Sequence, residues 1–328
     1  MKVAIRQLLK VSAAALAATV MTPALAADIT LRAITYMPPS KFEDSMAMFK
    51  SWTEKVKEKS NGKVEIKIIG GPEVFPVGDQ VSAAGKGLVD VVLTFTSHAS
   101  LVPEVNTVGL SNITPQEERK NGYFDLLDES HHKINLKLIG RASTNSGFFI
   151  FSRKPINDLD DFKGMKIRSH AGYNSIFKAV GASPVGIGIS EIYSALERNL
   201  VDAAPYNLFV YDMGINEVTK YALTNSFWPS HTTIILMNKK KFDGLPEDVQ
   251  KILVDAQIEN EAEMAEKVAA LIAEERGKLE AAGMTFTELP PDDAKQWAKI
   301  SSESRFDDIK DRISAERLET IKTMIVRH

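Results

Sequence analysis

From Ile29 onward the chain alternates short bursts of every-second-residue hydrophobicity with stripes of helical spacing. "ITLRAITY" reads as a strand, and Phe42, Met46, Phe49, Trp52 and Val56 then recur at intervals of three or four, predicting an amphipathic helix. "NGK" turns into "VEIKII", where Val64, Ile66 and Ile68 alternate. A helix near residues 79–87 leads into "LVDVVLTF", a nearly continuous apolar run that suits a buried parallel strand. Strand following helix in this way predicts an α/β lobe.

The pattern then restarts. "LKLIGRAS" and "GFFIFS" are strand-like, "KPINDLDDFKG" is a polar connection, and "MKIRSH" is a strand with Met165 and Ile167 on one face, Lys166 and Arg168 on the other. A helix over 172–180, the strand "SPVGIG" and a helix over 190–199 follow. In that helix Ser190 is the expected N-cap and Ile192 and Leu196 the core contacts. "VDAAPYN" ends the unit, and "TTIILMN" is one more strong strand. Two α/β units joined by extended segments suggest two lobes with a cleft between them.

The C-terminal third differs. From Pro246 to Gly283 the only interruption is Gly277, in a segment rich in Ala, Glu, Lys and Leu. With Pro246 in the first turn, a helix this long would measure about 50 Å, more than one lobe's width. Its apolar positions keep no clean heptad, so a helix bracing both lobes is preferred to a coiled coil. Two further helices are expected, over 291–299 and 303–325.

Composition narrows the function. Lys2, Arg6 and Lys10 precede an apolar run over 11–22 and the small-residue site Ala24-Leu25-Ala26, the pattern of a secretory signal cut after Ala26. The apolar run falls short of the roughly 20 residues a membrane span needs. Without this segment the net charge moves from −3 to about −6, a poor match for nucleic acid. The absence of cysteine excludes disulfides, thiol catalysis and thiolate metal sites.

The catalytic motifs are missing too: there is no HExxH, no G-x-S-x-G and no P-loop. "GIGISE" lacks the third glycine of a dinucleotide turn. His131 and His132 are adjacent on a predicted helix, so they diverge, and they read as solvated residues at a helix end. His98, His170 and His231 each follow or precede a strand, with no carboxylate paired to them in sequence. The expectation is a protein without catalysis, metal or cofactor.

The stretch "DFKGMKIRSHAGYNSIFKAVGASPVGIGISEIYSALERNLVDAAPYN" resembles the central signature of TRAP-type (tripartite ATP-independent periplasmic) solute-binding proteins. That signature runs K-G-x-K-x-R, then G-A-x-P, then S-E-x-Y-x-A-L followed by V-D. "LMNKKKFDGLPEDVQKIL", "GLVDVVLTFTSHASLVPE" and "EKSNGKVEIKI" are similar to further family blocks, and nearly all the chain past the signal is covered in order. The resemblance implies a two-lobed α/β receptor of the Venus-flytrap kind, closing on a small solute in the periplasm. It would deliver that solute to the small and large subunits of a membrane permease. Lobe I would comprise 27–145 plus 234–273, and lobe II 146–233 plus 274–328.

The resemblance also implies that Arg168 holds the ligand's carboxylate. Guanidinium is a planar fork matched to that group, and it stays charged when desolvated. Two departures bear on the ligand. Phe148 stands where many members carry a second arginine, and Tyr206 with Asn207 stands where many carry an asparagine in G-Q-E-N. A phenylalanine in place of an arginine removes a charge and adds an apolar wall, which favours a monoanion with an aromatic or branched body. Because neighbours on a strand alternate, one of Phe148 and Phe149 belongs to the pocket and the other to the core. Tyr36, Thr96, Ser97, His98, Trp228 and His231 occupy the family's other wall positions. An ABC-type receptor, a receptor for a small sulfonate or hydroxy or keto acid, and an exported enzyme on a similar scaffold are the alternatives.

Overall fold

The computed structural model describes residues 27–40, 44–142, 147–170, 172–228 and 233–325. The expected signal and its cut after Ala26, the stripe residue Phe42 and the wall residue His231 lie outside these. In chain order the strands are β1 Ile29–Thr35, β2 Val64–Gly70, β3 Val91–Thr94, β4 Leu136–Arg141, β5 Phe148–Ser152, β6 Lys166–Ser169, β7 Ser183–Gly186, β8 Ala203–Tyr206, β9 Tyr221–Trp228, β10 Ile234–Asn238 and β11 Thr285–Thr287. They form two sheets, in the orders β2-β1-β3-β10-β4 and β11-β9-β5-β8-β6-β7.

The first sheet follows from the alternations read in sequence. β1 pairs in parallel with β2 and β3, and β3 is buried at all four positions. The predicted stripe becomes the helix Asp44–Lys59, with Met46, Phe49, Trp52 and Val56 at most 1% exposed. Burying each such side chain stabilises the lobe by roughly 1.5–3 kcal/mol as an upper estimate. β10 returns from the second lobe and lies antiparallel between β3 and β4.

In the second sheet β6 sits in parallel between β7 and β8, while β5 runs antiparallel to both β8 and β9. β9 carries polar positions that hide it from a pattern search, and β11 is a three-residue edge strand that pairs with it. Ser190 does not cap the following helix. It lies inside the short turn Ile189–Glu191, whose start is closed instead by the Gly188 N–H donating to the Glu191 carboxylate at 3.2 Å. Ile192 and Leu196 are buried as expected.

The long helix is Glu247–Ala281, 35 residues, with Pro246 just before its first turn. Its first two thirds pack on the first sheet's core through Val249, Leu253, Ala256, Met264 and Val268. Leu279 near its end enters the second lobe's core, and the Arg276 guanidinium covers the Phe286 ring of β11 at 4.1 Å. The helix therefore braces both lobes. Beyond it, the expected break near residue 300 is absent: one helix runs Pro291–Asp307, and Ser314, accepting from the Arg317 N–H, opens the next at Ala315–Ile325. Phe306, Ile309, Leu318, Ile321 and Ile325 pack with Val92, Leu136 and Leu138 of the first sheet. The chain from Phe306 on thus returns to the first lobe, where the expected division put all of 274–328 in the second.

Candidate functional site

Both sheets present the same kind of edge to one another. Thr35 and Thr94 end the parallel strands β1 and β3, so Tyr36 and Phe95 stand at the carboxyl end of the first sheet. Arg168, Tyr206 and Trp228 stand at or near the ends of β6, β8 and β9, and Phe148 begins the antiparallel β5 beside them. Carboxyl ends of parallel strands are where open α/β sheets bind ligands. The edges meet where Phe95 approaches His170, ring centres 6.2 Å apart.

Arg168 is the charged centre of this edge. It is 4% exposed, and its Nε donates to the Ile187 carbonyl at 2.9 Å. No carboxylate among the described residues pairs with it, and its Nη atoms donate to none of them. Burial lowers its pKa, with Tyr173 and Tyr206 opposing. Guanidinium keeps its charge through such burial.

Around it the surface is aromatic. Phe148, 5% exposed, lies 6.0 Å from both Tyr173 and Tyr206, ring centre to ring centre. Phe149 is partly buried and packs against the same cluster to which the more deeply buried Phe148 belongs. Tyr206 is buried beside Phe148, whereas Asn207 is fully buried and its Oδ1 accepts from the Phe209 N–H, a local turn. Tyr36 is buried, hydrogen-bonded to Ser45 at 2.8 Å and edge-on to Phe95.

Other expected wall residues are placed differently. Ser97 is exposed and bonds locally to the Phe95 carbonyl, while Thr96 is buried. His98 turns inward to His131, Nε2 to Nε2 at 2.9 Å, and is committed to the first lobe's interior. His131, expected to be solvated, is fully buried and donates from Nδ1 to the Leu127 carbonyl; only His132 reaches solvent, beside Asp128 at 3.3 Å. Burial lowers the pKa of both rings of this couple, that of His98 to about 3.

Trp228 is 1% exposed and is a core residue at the seam between lobes. It stands edge-on to Tyr173 at 4.8 Å, and it fills the space beside Gly109, where a Cβ would lie 2.0 Å from the indole. Arg305, buried in the helix Pro291–Asp307, lies over the same indole at 3.9 Å. It donates to the carbonyls of Asn106 and Gly172. Sequence reasoning missed Arg305, Tyr173 and Phe95. Phe95 ends a predicted strand and could have been found; Arg305 sits in a polar helical run with no distinguishing signal.

The first lobe's buried arginine is not available to a ligand. Arg141 donates to both Glu118 oxygens, at 2.7 and 2.9 Å, and Ser111 donates to the same carboxylate. A hollow of about 490 Å³ lies at the opposite end of the second sheet, among Arg153, Lys163 and Asp202. Its arginine is engaged by the carbonyls of Leu196 and Val201, so it does not compete with the inter-lobe edge as a ligand site. Among the described residues no group of three or more His, Asp or Glu is placed to hold a metal, and no helix is long and apolar enough to cross a membrane.

Two α/β lobes braced by one long helix, with a buried arginine at facing strand ends, define a solute-binding protein of the two-lobed class. Residues 36–305 match the model of bacterial extracellular solute-binding protein family 7, the DctP family, and the chain belongs to that family of TRAP receptors. It is 27% identical to the C4-dicarboxylate-binding periplasmic protein DctP of Rhodobacter capsulatus over 339 residues, 95% of this chain and 96% of that one. Among solved structures, a TRAP periplasmic solute-binding protein of Desulfovibrio desulfuricans with bound sn-glycerol-3-phosphate superposes with a TM-score of 0.80 at 19% identity, covering 91% of this chain and 98% of that one. One from Desulfovibrio salexigens with bound orotic acid gives 0.78 at 23%, covering 90% and 97%. These likenesses establish a shared fold. The family is one of binding proteins, and the chain is a receptor, not an enzyme.

Proposed function

We propose that the protein captures a small organic acid between its lobes, with the carboxylate on Arg168 and the body against Phe148, Tyr173 and Tyr206. The observation that carries this reading is the state of Arg168: buried, tethered through Nε alone, and without a carboxylate among the described residues. A buried cation so placed is an incomplete ion pair, and an arriving carboxylate completes it with two parallel hydrogen bonds. Phe148 in place of a second cation, with tyrosines on either side, favours a monoanion with an aromatic or branched body over a dianion. The ligands of similar proteins, a C4-dicarboxylate and orotic acid among them, are acids and agree with the class.

Binding works by closure. A solute that touches both lobes favours the arrangement in which they meet, and closing dries the Arg168 ion pair and strengthens it. The loaded receptor, exported to the periplasm after a cut at Ala26, hands its cargo to the two membrane subunits of a TRAP permease. Lobe I then comprises 27–145 and 234–273 with the tail beyond Phe306, and lobe II the remainder. A thermal-shift screen across aromatic, branched, hydroxy and dicarboxylic acids finds the ligand, since binding stabilises by mass action. Calorimetric titration of Arg168→Lys then tests the anchor: a point charge loses the fork, and an unchanged affinity would remove Arg168 from the site.

A further inference from the structure

Two residues past Arg168, on the same face as the chain leaves β6, stands His170. Its Nδ1 accepts the Gly172 N–H at 2.9 Å. A ring nitrogen that accepts from a backbone amide carries no proton, so in the neutral ring the proton sits on Nε2. The backbone itself enforces this choice. A Cβ at Gly172 would lie 2.7 Å from the His170 Cε1 and 3.1 Å from the Arg305 Nη1, so only glycine lets the amide approach, and the Gly172 carbonyl is held in turn by Arg305.

The ring is fixed in direction as well as tautomer. It packs against Tyr173 with centres 3.8 Å apart and faces Phe95 of the other lobe. Burial and the two nearby guanidiniums, Arg168 and Arg305, oppose its protonation and lower its pKa to about 3. The ionisable groups turned toward it are those two arginines and Tyr173, and no carboxylate among the described residues pairs with it. Nε2 makes no hydrogen bond to any described residue, although the ring is partly accessible from the cleft.

We propose that His170 is a fixed, uncharged hydrogen-bond donor that reads an oxygen acceptor carried by the ligand beside the carboxylate on Arg168. The ligand class narrows to monoanionic acids bearing a hydroxyl, keto or amide oxygen near the carboxylate. This rests on the anchoring role of Arg168 proposed above. A site built around a buried donor discriminates strongly, because an analogue without the acceptor leaves that donor unpaired in the closed cleft.

The test uses two matched pairs, phenyllactate against 3-phenylpropanoate and 4-methyl-2-oxopentanoate against 4-methylpentanoate, titrated calorimetrically into the full chain. The oxygen-bearing member should bind about tenfold to a hundredfold more tightly. In His170→Phe, which keeps a stacked ring but no donor, that ratio should fall to within about threefold; His170→Gln, which keeps a distal N–H, should restore part of it. Nitrogen-15 NMR of the unliganded protein at neutral pH should show the Nε2–H tautomer, a readout independent of any ligand. No discrimination by the wild type, an equal loss for both members in His170→Phe, or a proton on Nδ1 each overturns the proposal while leaving the anchor standing. Failure of all four acids to bind overturns both readings.

Discussion

The guanidinium carbon of Arg305 lies 3.9 Å from the centre of the Trp228 ring, and the same group donates to Asn106 at 2.5 Å and to Gly172. Asn106 lies in the first lobe's turn Pro103–Leu110, whereas Gly172 and Trp228 belong to the second lobe. One side chain thus ties the lobes at the base of the cleft. Burial brings its pKa down to about 10, so it remains charged at neutral pH. Arg305→Met keeps the stem and leaves two buried carbonyls without their donor. We expect it to lower stability by about 2–4 kcal/mol. An unchanged urea midpoint would refute this.

Glu261 fastens the long helix to the first sheet. It is 2% exposed and accepts Nε and Nη2 of Arg119, both at 2.9 Å, together with the backbone N–H of Arg141 at 2.8 Å. Replacing it by alanine strands the Arg119 charge and the amide at once. The expected loss is about 3–5 kcal/mol, read from chemical denaturation, with Glu261→Gln losing less because it still accepts from the amide.

Two buried histidines, His98 and His131, and the half-buried His170 set the response to acid. The pKa values of His98 and His170 are lowered to about 3, and that of His131 is lowered too, with burial the largest cause in each. The unfolded chain takes up protons near the ordinary histidine value of about 6.5 that the folded chain refuses. Their contribution to stability is therefore full above that pH and falls as pH drops below it, by about 1.4 kcal/mol per unit for His98 and for His170 until pH nears 3. Urea unfolding at pH 7 and pH 5 should show the difference, with a shallower slope in the His98→Leu, His131→Leu double variant. Equal stability at the two pH values would contradict the assignment.

Phe148→Arg puts a cation among the rings of Tyr173, Tyr206 and Phe227, none of which carries a carboxylate. The unliganded variant should be less stable by several kcal/mol, on the order of 2–4. A dianion compensates what a monoanion does not. Succinate should therefore raise the variant's melting temperature more than it raises the wild type's, and an aromatic monoacid should do the reverse. The same ranking in both proteins would count against Phe148 as the selectivity wall.

Much of this was legible because burial leaves a period in the sequence. The stripe ending in Trp52 and Val56, the run at Val91–Thr94 and the unbroken segment from Glu247 to Ala281 each state their element directly. β9 was hidden because its alternation is interrupted by Thr224, Asn225 and Ser226, whose polar groups serve turns and neighbouring strands: Asn225 accepts from Leu289 and Ser226 from Phe148. At the site, Arg168 stood out only once its neighbours matched a family pattern. Arg305 and Tyr173 reach the cleft through tertiary packing, which no local spacing records. His98 was misread for a related reason: a loop position fixes where the backbone goes, and the side chain went to His131 instead of the cleft.

The placement of β10 governs how the chain can be assembled. Residues Ile234–Asn238 occupy the space between β3 and β4, yet they follow five of the second sheet's six strands, β5 to β9, in the chain. Until they arrive, β3 and β4 have no bridge, and the core beneath them waits for Leu253 and Val268 of the long helix. The amino-terminal lobe cannot finish first. Closing so large a loop slows folding, and the first lobe is completed only after the strands β5 to β9 have been made.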